Sequence, residues 1–170
     1  ALEGFGKEIQ KNADLLKDKD QLARLKDFFN DRETTNQAAA ILVGLPGTLG
    51  PDLLFEAASS AKKHPETSEL ADELLATKEV RTKASPALAV TLALEGASTC
   101  EDFKALLSRA KDEGDRRAVS PLFKLTKKRG CGDNKLGDCY ECLRPLDKDK
   151  EAVNLGKALK AVLKRPAPKY

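Results

Sequence analysis

Four cysteines are the residues of this chain whose type and spacing most clearly indicate chemistry. Cys131, Cys139 and Cys142 fall within twelve residues, and Cys100 stands upstream. An even number of cysteines gathered in one region is typical of structural disulfides. Two alternatives stay open: reduced thiols that pack as small hydrophobic groups, and a zinc site formed by all four thiolates. Only one CxxC pair is present, whereas zinc ribbons normally have two, so we predict two disulfides and no metal.

The pairing that we favour joins Cys131 to Cys139 and Cys100 to Cys142. The first bond closes a short loop with two glycines, which allow the chain to turn back. The second ties the start of one predicted helix pair to the next. Four cysteines permit three connectivities, and the sequence alone does not select one. Because disulfides persist in oxidising compartments, this prediction implies an extracytoplasmic location, periplasmic or exported, with the cytoplasm as the alternative.

Motifs for catalysis or cofactor binding are absent from the sequence. The single histidine, His64, precedes a proline and is interpreted as a cationic cap at the end of a helix. The glycine-rich run 44–50 lacks the Lys-Ser/Thr ending of a phosphate loop and is interpreted as a turn between helices. The CxxC at 139–142 has no βαβ pattern around it, which argues against a thioredoxin-like role. We therefore predict a non-enzymatic chain with no catalytic residue and no cofactor.

Composition and charge favour a globular domain that binds another protein. The 170 residues are 41% hydrophobic and 34% charged, which excludes a disordered chain, and no apolar run is long enough to span a membrane. The net charge of +3 is small for a nucleic-acid domain, and aromatic residues make up only 5%. Nucleic acid is thus the disfavoured alternative. Two basic clusters are interpreted as the last turns of two helices: Lys124, Lys127, Lys128 and Arg129, then Lys157, Lys160, Lys164, Arg165 and Lys169.

A repeat of 35 residues organises the predicted helices. Pro51, Pro86 and Pro121 are 35 residues apart, each after a small residue and before apolar residues. Apolar spacings of three, four and seven along most of the chain indicate helices. We predict an all-α fold of about ten helices stacked in antiparallel pairs, an α-solenoid, because one such pair cannot bury its apolar face alone. The predicted helices cover 3–18, 20–31, 33–44, 51–63, 67–77, 85–95, 99–113, 116–129, 139–145 and 149–164.

Local signals add caps and core positions. The pairs at 50–51 and 85–86 are each interpreted as an N-cap followed by proline at the first helical position. Ser98 and Glu101 fit a capping box, and Asp115 is a further candidate cap.

Two apolar side chains, Leu106 and Phe123, are predicted to lie in the core of one repeat. Their substitution by Ala should cost roughly 2–5 kcal/mol. At an exposed charged position such as Lys111, the cost should stay within about 0.5 kcal/mol.

The C-terminal half resembles a known group of helical repeats. Residues 114–122 resemble the start of the second helix in short bacterial HEAT-like repeats. Residues 130–132 and 136–144 are similar to the terminal repeat in C-terminal regions of some bacterial serine/threonine protein kinases. The resemblance is close over 95–165, and it implies a HEAT-like repeat fold. In that family the kinase domain lies elsewhere in the chain, often across a membrane helix.

The predicted organisation follows from the repeat and this resemblance together. Residues 1–32 form an N-terminal helical hairpin that caps the stack, residues 33–165 form the repeats, and 166–170 form a frayed tail. No methionine is present, so we expect a processed chain or a fragment. The expected function is that of a non-catalytic interaction or sensory module of a larger bacterial signalling protein. The alternatives are a nucleic-acid-binding repeat protein and a helical enzyme whose site the sequence does not reveal.

Overall fold

Helices make up the regular structure of the chain in the computed structural model, which describes residues 2–60, 62–144 and 154–170. Over these ranges the chain forms ten α-helices and three short 3₁₀ helices, without a β-strand. The prediction of an all-α protein is confirmed. The stacking of the helices as solenoid pairs stays a prediction.

The helices begin and end close to several predicted boundaries and depart from others. Their bounds are α1 Leu2–Lys11, α2 Lys19–Asn30, α3 Thr35–Gly44, α4 Leu49–Ala58, α5 Pro65–Ala76, α6 Lys78–Lys83, α7 Pro86–Gly96, α8 Cys100–Glu113, α9 Val119–Lys124 and α10 Leu155–Lys164. The 3₁₀ helices are Ala13–Lys17, Arg116–Ala118 and Glu141–Leu143. The sequence analysis missed α6, and it extended the helix at 116–129 five residues beyond the end of α9. Of the helix expected over 149–164, residues 149–153 lie outside the described ranges.

The three prolines of the 35-residue register do not begin their helices in the same way. Pro86 is the first residue of α7, and the Ser85 hydroxyl accepts a hydrogen bond from the Leu88 N–H, as predicted. Pro51 and Pro121 instead stand third in α4 and α9. The interpretation of residues 50–51 as cap and first position is therefore wrong, because α4 already begins at Leu49. Proline is tolerated at both positions, since the first N–H groups of a helix have no partner within it.

Two predicted caps gave opposite results. Asp115 caps the 3₁₀ helix that follows it, where its carboxylate accepts from the Arg117 N–H at 2.9 Å. The capping box is formed by Thr99 and Asp102, one residue later than the predicted pair. In this box the Thr99 hydroxyl accepts from the Asp102 N–H at 3.2 Å, and the Asp102 carboxylate accepts from the Thr99 N–H at 3.1 Å.

The described chain divides into two compact units, residues 1–84 with 168–170, and residues 85–167. This division does not fall at residue 32, where the sequence analysis ended the N-terminal cap. The assignment of a cap over 1–32 and repeats over 33–165 stays a prediction.

The N-terminal unit is built on α1 to α6. Within it α4 packs against α5, α2 against α3, and α1 against α3. Residues 168–170 also belong to this unit, and the Tyr170 hydroxyl donates to a carboxylate oxygen of the buried Asp52 at 2.6 Å. The fraying expected for residues 166–170 stays a prediction. The largest fully buried side chains of this unit are Ile9, Leu25, Leu45, Leu54 and Val80.

The C-terminal unit has its own apolar core around α8, which packs against both α7 and α10. Leu106 lies partly buried against this core. Phe123 does not belong to it, because 66% of its surface is exposed. Its prediction as a core residue is therefore wrong. The buried members of the core are Val90, Leu94, Phe103, Leu107, Ala110, Ala118, Leu122, Leu125, Leu143, Leu155, Ala158 and Val162.

A candidate interaction surface on the C-terminal unit

One disulfide ties the start of α8 to the 3₁₀ turn at Glu141–Leu143. It joins Cys100 and Cys142, whose Cα atoms are 6.2 Å apart and which are separated by 42 residues. Both half-cystines are partly buried against the C-terminal core. Beside them the Tyr140 ring meets the Phe103 ring edge-on, with 5.6 Å between the ring centroids. The irregular segment after α9 is thus fixed to the core by a covalent bond and an aromatic contact.

The second disulfide closes a short exposed hairpin. It joins Cys131 and Cys139, whose Cα atoms are 5.1 Å apart. Cys131 also forms an antiparallel β-bridge with Gly137, through N–H to O bonds of 3.0 and 2.8 Å. Gly132 turns the chain at φ 79°, a conformation that glycine adopts without strain. These glycines allow the tight return that the sequence analysis expected.

The structure brings together the same two cysteine pairs that the sequence analysis favoured. In each pair the two sulfurs lie at disulfide distance. Among the residues that the structure describes, no group of three or more His, Cys, Asp or Glu side chains is arranged to hold a metal ion.

Arg144 fastens the hairpin to the end of α9. Its guanidinium donates to both carboxylate oxygens of Asp138, at 2.8 and 3.0 Å. The same group donates to the backbone carbonyls of Leu125 at 2.9 Å and Lys127 at 3.0 Å. The planar fork of arginine suits four acceptors spread over two chain segments. The sequence analysis singled out neither Arg144 nor Asp138, since a long-range ion pair leaves no local pattern.

Asp138 is held in its charged form. The donating Arg144 guanidinium is the main reason that the pKa of Asp138 lies below its usual range, and a hydrogen bond from the Tyr140 N–H lowers that pKa further. The charge of Lys128 acts in the same direction. Asp138 therefore serves as an anchor inside the hairpin and stays ionised at neutral pH.

Four cations and one leucine form what we call the cationic loop: Lys127, Lys128, Arg129, Lys135 and Leu136. All five residues are exposed, and Leu136 exposes 59% of its surface. Within the described ranges, none of the four cations forms an ion pair. Lys127, Lys128 and Arg129 stand beyond Lys124, the last residue of α9, so their interpretation as the last turn of a helix is wrong.

A second exposed feature, which we call the helical face, lies on α9 and α10. These two helices pack against each other. Phe123 on α9 and Leu163 on α10 expose 66% and 49% of their surfaces. The same helices carry exposed basic residues: Lys124 on α9, and Lys160 and Lys164 on α10. Arg165, counted with this basic cluster, instead donates to the backbone carbonyls of Gly114 and Lys111.

A signal for the exposure of Phe123 was present in the sequence. Ala118, Pro121, Leu122 and Leu125 follow the spacing of one buried helical face, and all four are buried. Phe123 falls outside that spacing. The sequence analysis nevertheless assigned Phe123 to the core of a repeat.

The remaining candidates lie in the N-terminal unit and serve structural roles. His64 precedes α5 and does not end α4, so its interpretation as a C-terminal cap is wrong. Its backbone carbonyl accepts from the Thr67 hydroxyl at 3.2 Å. It borders an open cleft of about 530 Å³. The run at 44–50 includes the predicted turn between α3 and α4, where Gly47 has φ 70°.

Comparisons with known proteins found no match: no family model, no curated protein and no solved structure is significantly similar to this chain. The resemblance of residues 95–165 to HEAT-like repeats of bacterial kinases therefore stays a prediction. None of the helices in the described ranges combines the length and the apolar character needed to cross a bilayer.

Proposed function

We propose that this chain is a non-catalytic protein-interaction module with a sensory or regulatory role. The observation that carries this proposal is the helical face, where Phe123 and Leu163 stand exposed on two helices that pack together. Full burial of a phenylalanine or leucine side chain is worth about 1.5–3 kcal/mol. Contiguous exposed apolar patches with a polar rim mark sites where proteins bind partners.

The charges around this face indicate the chemistry of the partner. Lys124, Lys160 and Lys164 are exposed on the same two helices as the two apolar side chains. A partner protein that presents an apolar contact ringed by Asp or Glu would match this arrangement. Such complementary charge raises the association rate and selects the partner, while the apolar contact supplies affinity.

The wider setting of the module belongs to the same proposal. We infer that the chain is part of a larger bacterial signalling protein with HEAT-like repeats, as its resemblance to kinase C-terminal regions implies. Two disulfide pairs are compatible with an oxidising compartment, and they support an extracytoplasmic location.

The test is a comparison of binding by the parent chain and a helical-face variant, Phe123→Ser with Leu163→Ser. The matched control is Leu15→Ser, which alters a leucine that exposes 38% of its surface in the N-terminal unit. Proteins captured from bacterial extract by the parent and the control, and lost with the face variant, would be purified and titrated against all three chains. We expect at least a tenfold weaker Kd for the face variant, corresponding to about 1.4 kcal/mol. Equal Kd values for the face variant and the control would refute the assignment of this face.

A further inference from the structure

We propose that the cationic loop docks the C-terminal unit peripherally on an anionic phospholipid surface. This goes beyond the proposed function, because it concerns different residues and a different kind of partner. It requires no spanning helix, since only side chains of the loop would enter the headgroup layer.

The first argument is the charge of the loop. Residues 127–136 contain four cations and a single acid, Asp133. The nearest downstream acid, Asp138, is already occupied by the Arg144 guanidinium at 2.8 Å. The cations are thus left available for an external anion. Clustered lysine and arginine side chains are attracted to membranes that carry anionic lipids.

The second argument is the position of Leu136. It follows Lys135, whose φ of 57° places it in the left-handed region, and the Leu136 N–H is held by the Asn134 side chain at 3.0 Å. The carbonyl of Lys135 accepts from the Gly130 N–H at 3.0 Å, which brings Leu136 close to the chain that follows Arg129. An apolar side chain is therefore presented from the turn of the hairpin beside basic residues.

The third argument is that the loop is already ordered. The Cys131–Cys139 bond, the β-bridge to Gly137 and the Arg144 contacts fix its backbone before any ligand arrives. A binding surface that is fixed in advance loses less conformational entropy on binding.

A lipid surface suits these features better than a protein or a nucleic acid. One leucine between cations offers little shape for a protein partner to match, whereas a fluid headgroup layer adapts to it. A nucleic acid would neutralise the cations but would gain little from Leu136, because its affinity comes mostly from phosphate contacts. A dependence of binding on both the charges and Leu136 therefore identifies the lipid surface.

The experiment is sedimentation of the oxidised full chain with vesicles at about 0.15 M salt. One set of vesicles is pure phosphatidylcholine, and the other contains about one third phosphatidylglycerol. The charge variant is Lys127→Gln with Lys128→Gln, and its matched control is Lys62→Gln with Lys63→Gln, an exposed lysine pair of the N-terminal unit. The apolar variant is Leu136→Ser, and its control is Leu15→Ser.

We expect binding to the anionic vesicles only. Removing two loop charges should weaken it about 25-fold, at about fivefold per charge. Leu136→Ser should weaken it about tenfold. Both controls should bind within about threefold of the parent, because they lie outside the loop.

Three results would overturn the proposal. The first is equal binding to both kinds of vesicle. The second is equal weakening by the loop variants and their controls. The third is binding of duplex DNA or of an acidic protein, unaffected by Leu136→Ser, together with no vesicle binding. Circular dichroism and thermal melting of each variant establish that the fold is intact, and the helical-face variant, assayed in parallel, keeps a failure here distinct from a failure of the proposed function.

Discussion

The two units of this chain differ in their covalent cross-links and in their charge. The N-terminal unit has no cysteine, and its 13 basic residues are slightly outnumbered by 15 acidic ones. The C-terminal unit contains both disulfides and has 17 basic residues against 12 acidic ones. Three of the large apolar side chains found exposed in the described ranges, Phe123, Leu136 and Leu163, belong to this second unit.

This difference matches the way in which the two units are built. In the N-terminal unit, short connections join the helices, and the sequence of this unit contains no cysteine. In the C-terminal unit, α9 is only six residues long and a long irregular segment follows it. Such a segment buries little apolar surface of its own, and covalent bonds replace the missing packing. That replacement leaves large side chains and cations free to face a ligand.

Reduction of the two disulfides should give the largest difference between the two units. The 42-residue separation of Cys100 and Cys142 corresponds to a stabilisation of about 4 kcal/mol, and the 8-residue separation of Cys131 and Cys139 to about 2.5 kcal/mol, in the chain-entropy account. We expect a reducing agent to raise amide hydrogen exchange in residues 85–144. Exchange in α1 to α5 should change little, because that unit has its own core. An equal rise in both units would show that they do not fold separately.

Leucine-to-alanine substitution tests whether the two cores are packed alike. Leu54 and Leu122 are each fully buried, one in each unit. Each substitution should lower the free energy of unfolding by roughly 2–5 kcal/mol, from lost burial and the cavity left behind. Urea denaturation measures the free energy of unfolding of both variants. A cost below about 0.5 kcal/mol for Leu122→Ala would mean that the disulfides alone hold the C-terminal unit.

Acid should weaken the C-terminal unit through Asp138. The Arg144 guanidinium lowers the pKa of this carboxyl in the folded state. A group with a depressed folded pKa adds stability above its unfolded pKa of about 4, and this stability is lost as the pH falls through the folded value. We expect parent protein to lose more stability between neutral and acid pH than Asp138→Asn, as measured by denaturant midpoints. Identical losses for the two proteins would contradict the role of this ion pair.

The smallest effect is expected at Phe123. Because its ring is exposed, Phe123→Ala should change the free energy of unfolding by no more than about 0.5 kcal/mol. Its neighbour Leu122 gives the contrast within one helix. If Phe123→Ala lowered the free energy of unfolding as much as Leu122→Ala, Phe123 would be a core residue and the assignment of the helical face would be wrong.

Local rules predicted much of the fold. The all-α class, the cap at Ser85 and the two disulfides follow from periodicity, capping chemistry and cysteine spacing, which all act over short stretches or a few residue types. The prolines of the 35-residue register share a spacing but differ in helical position, because the first turn of a helix accepts proline at more than one place.

The candidate site was harder to predict for a physical reason. Arg144 acts on groups that are 6 to 19 residues away along the chain. The exposure of Leu136 depends on a hairpin whose bridge forms only once the chain has turned. No local sequence pattern predicts either effect, whereas the cysteines that close the hairpin are recognisable in the sequence.

The nesting of the two disulfides affects how the chain responds to cleavage. The Cys131–Cys139 ring lies wholly within the segment closed by Cys100 and Cys142. A protease that cuts after lysine or arginine meets exposed residues throughout the cationic loop, yet a single cut there releases no fragment. The mass rises by one water, and the two parts stay covalently joined until the disulfides are reduced. A single cut in the cationic loop therefore nicks the chain without releasing the loop.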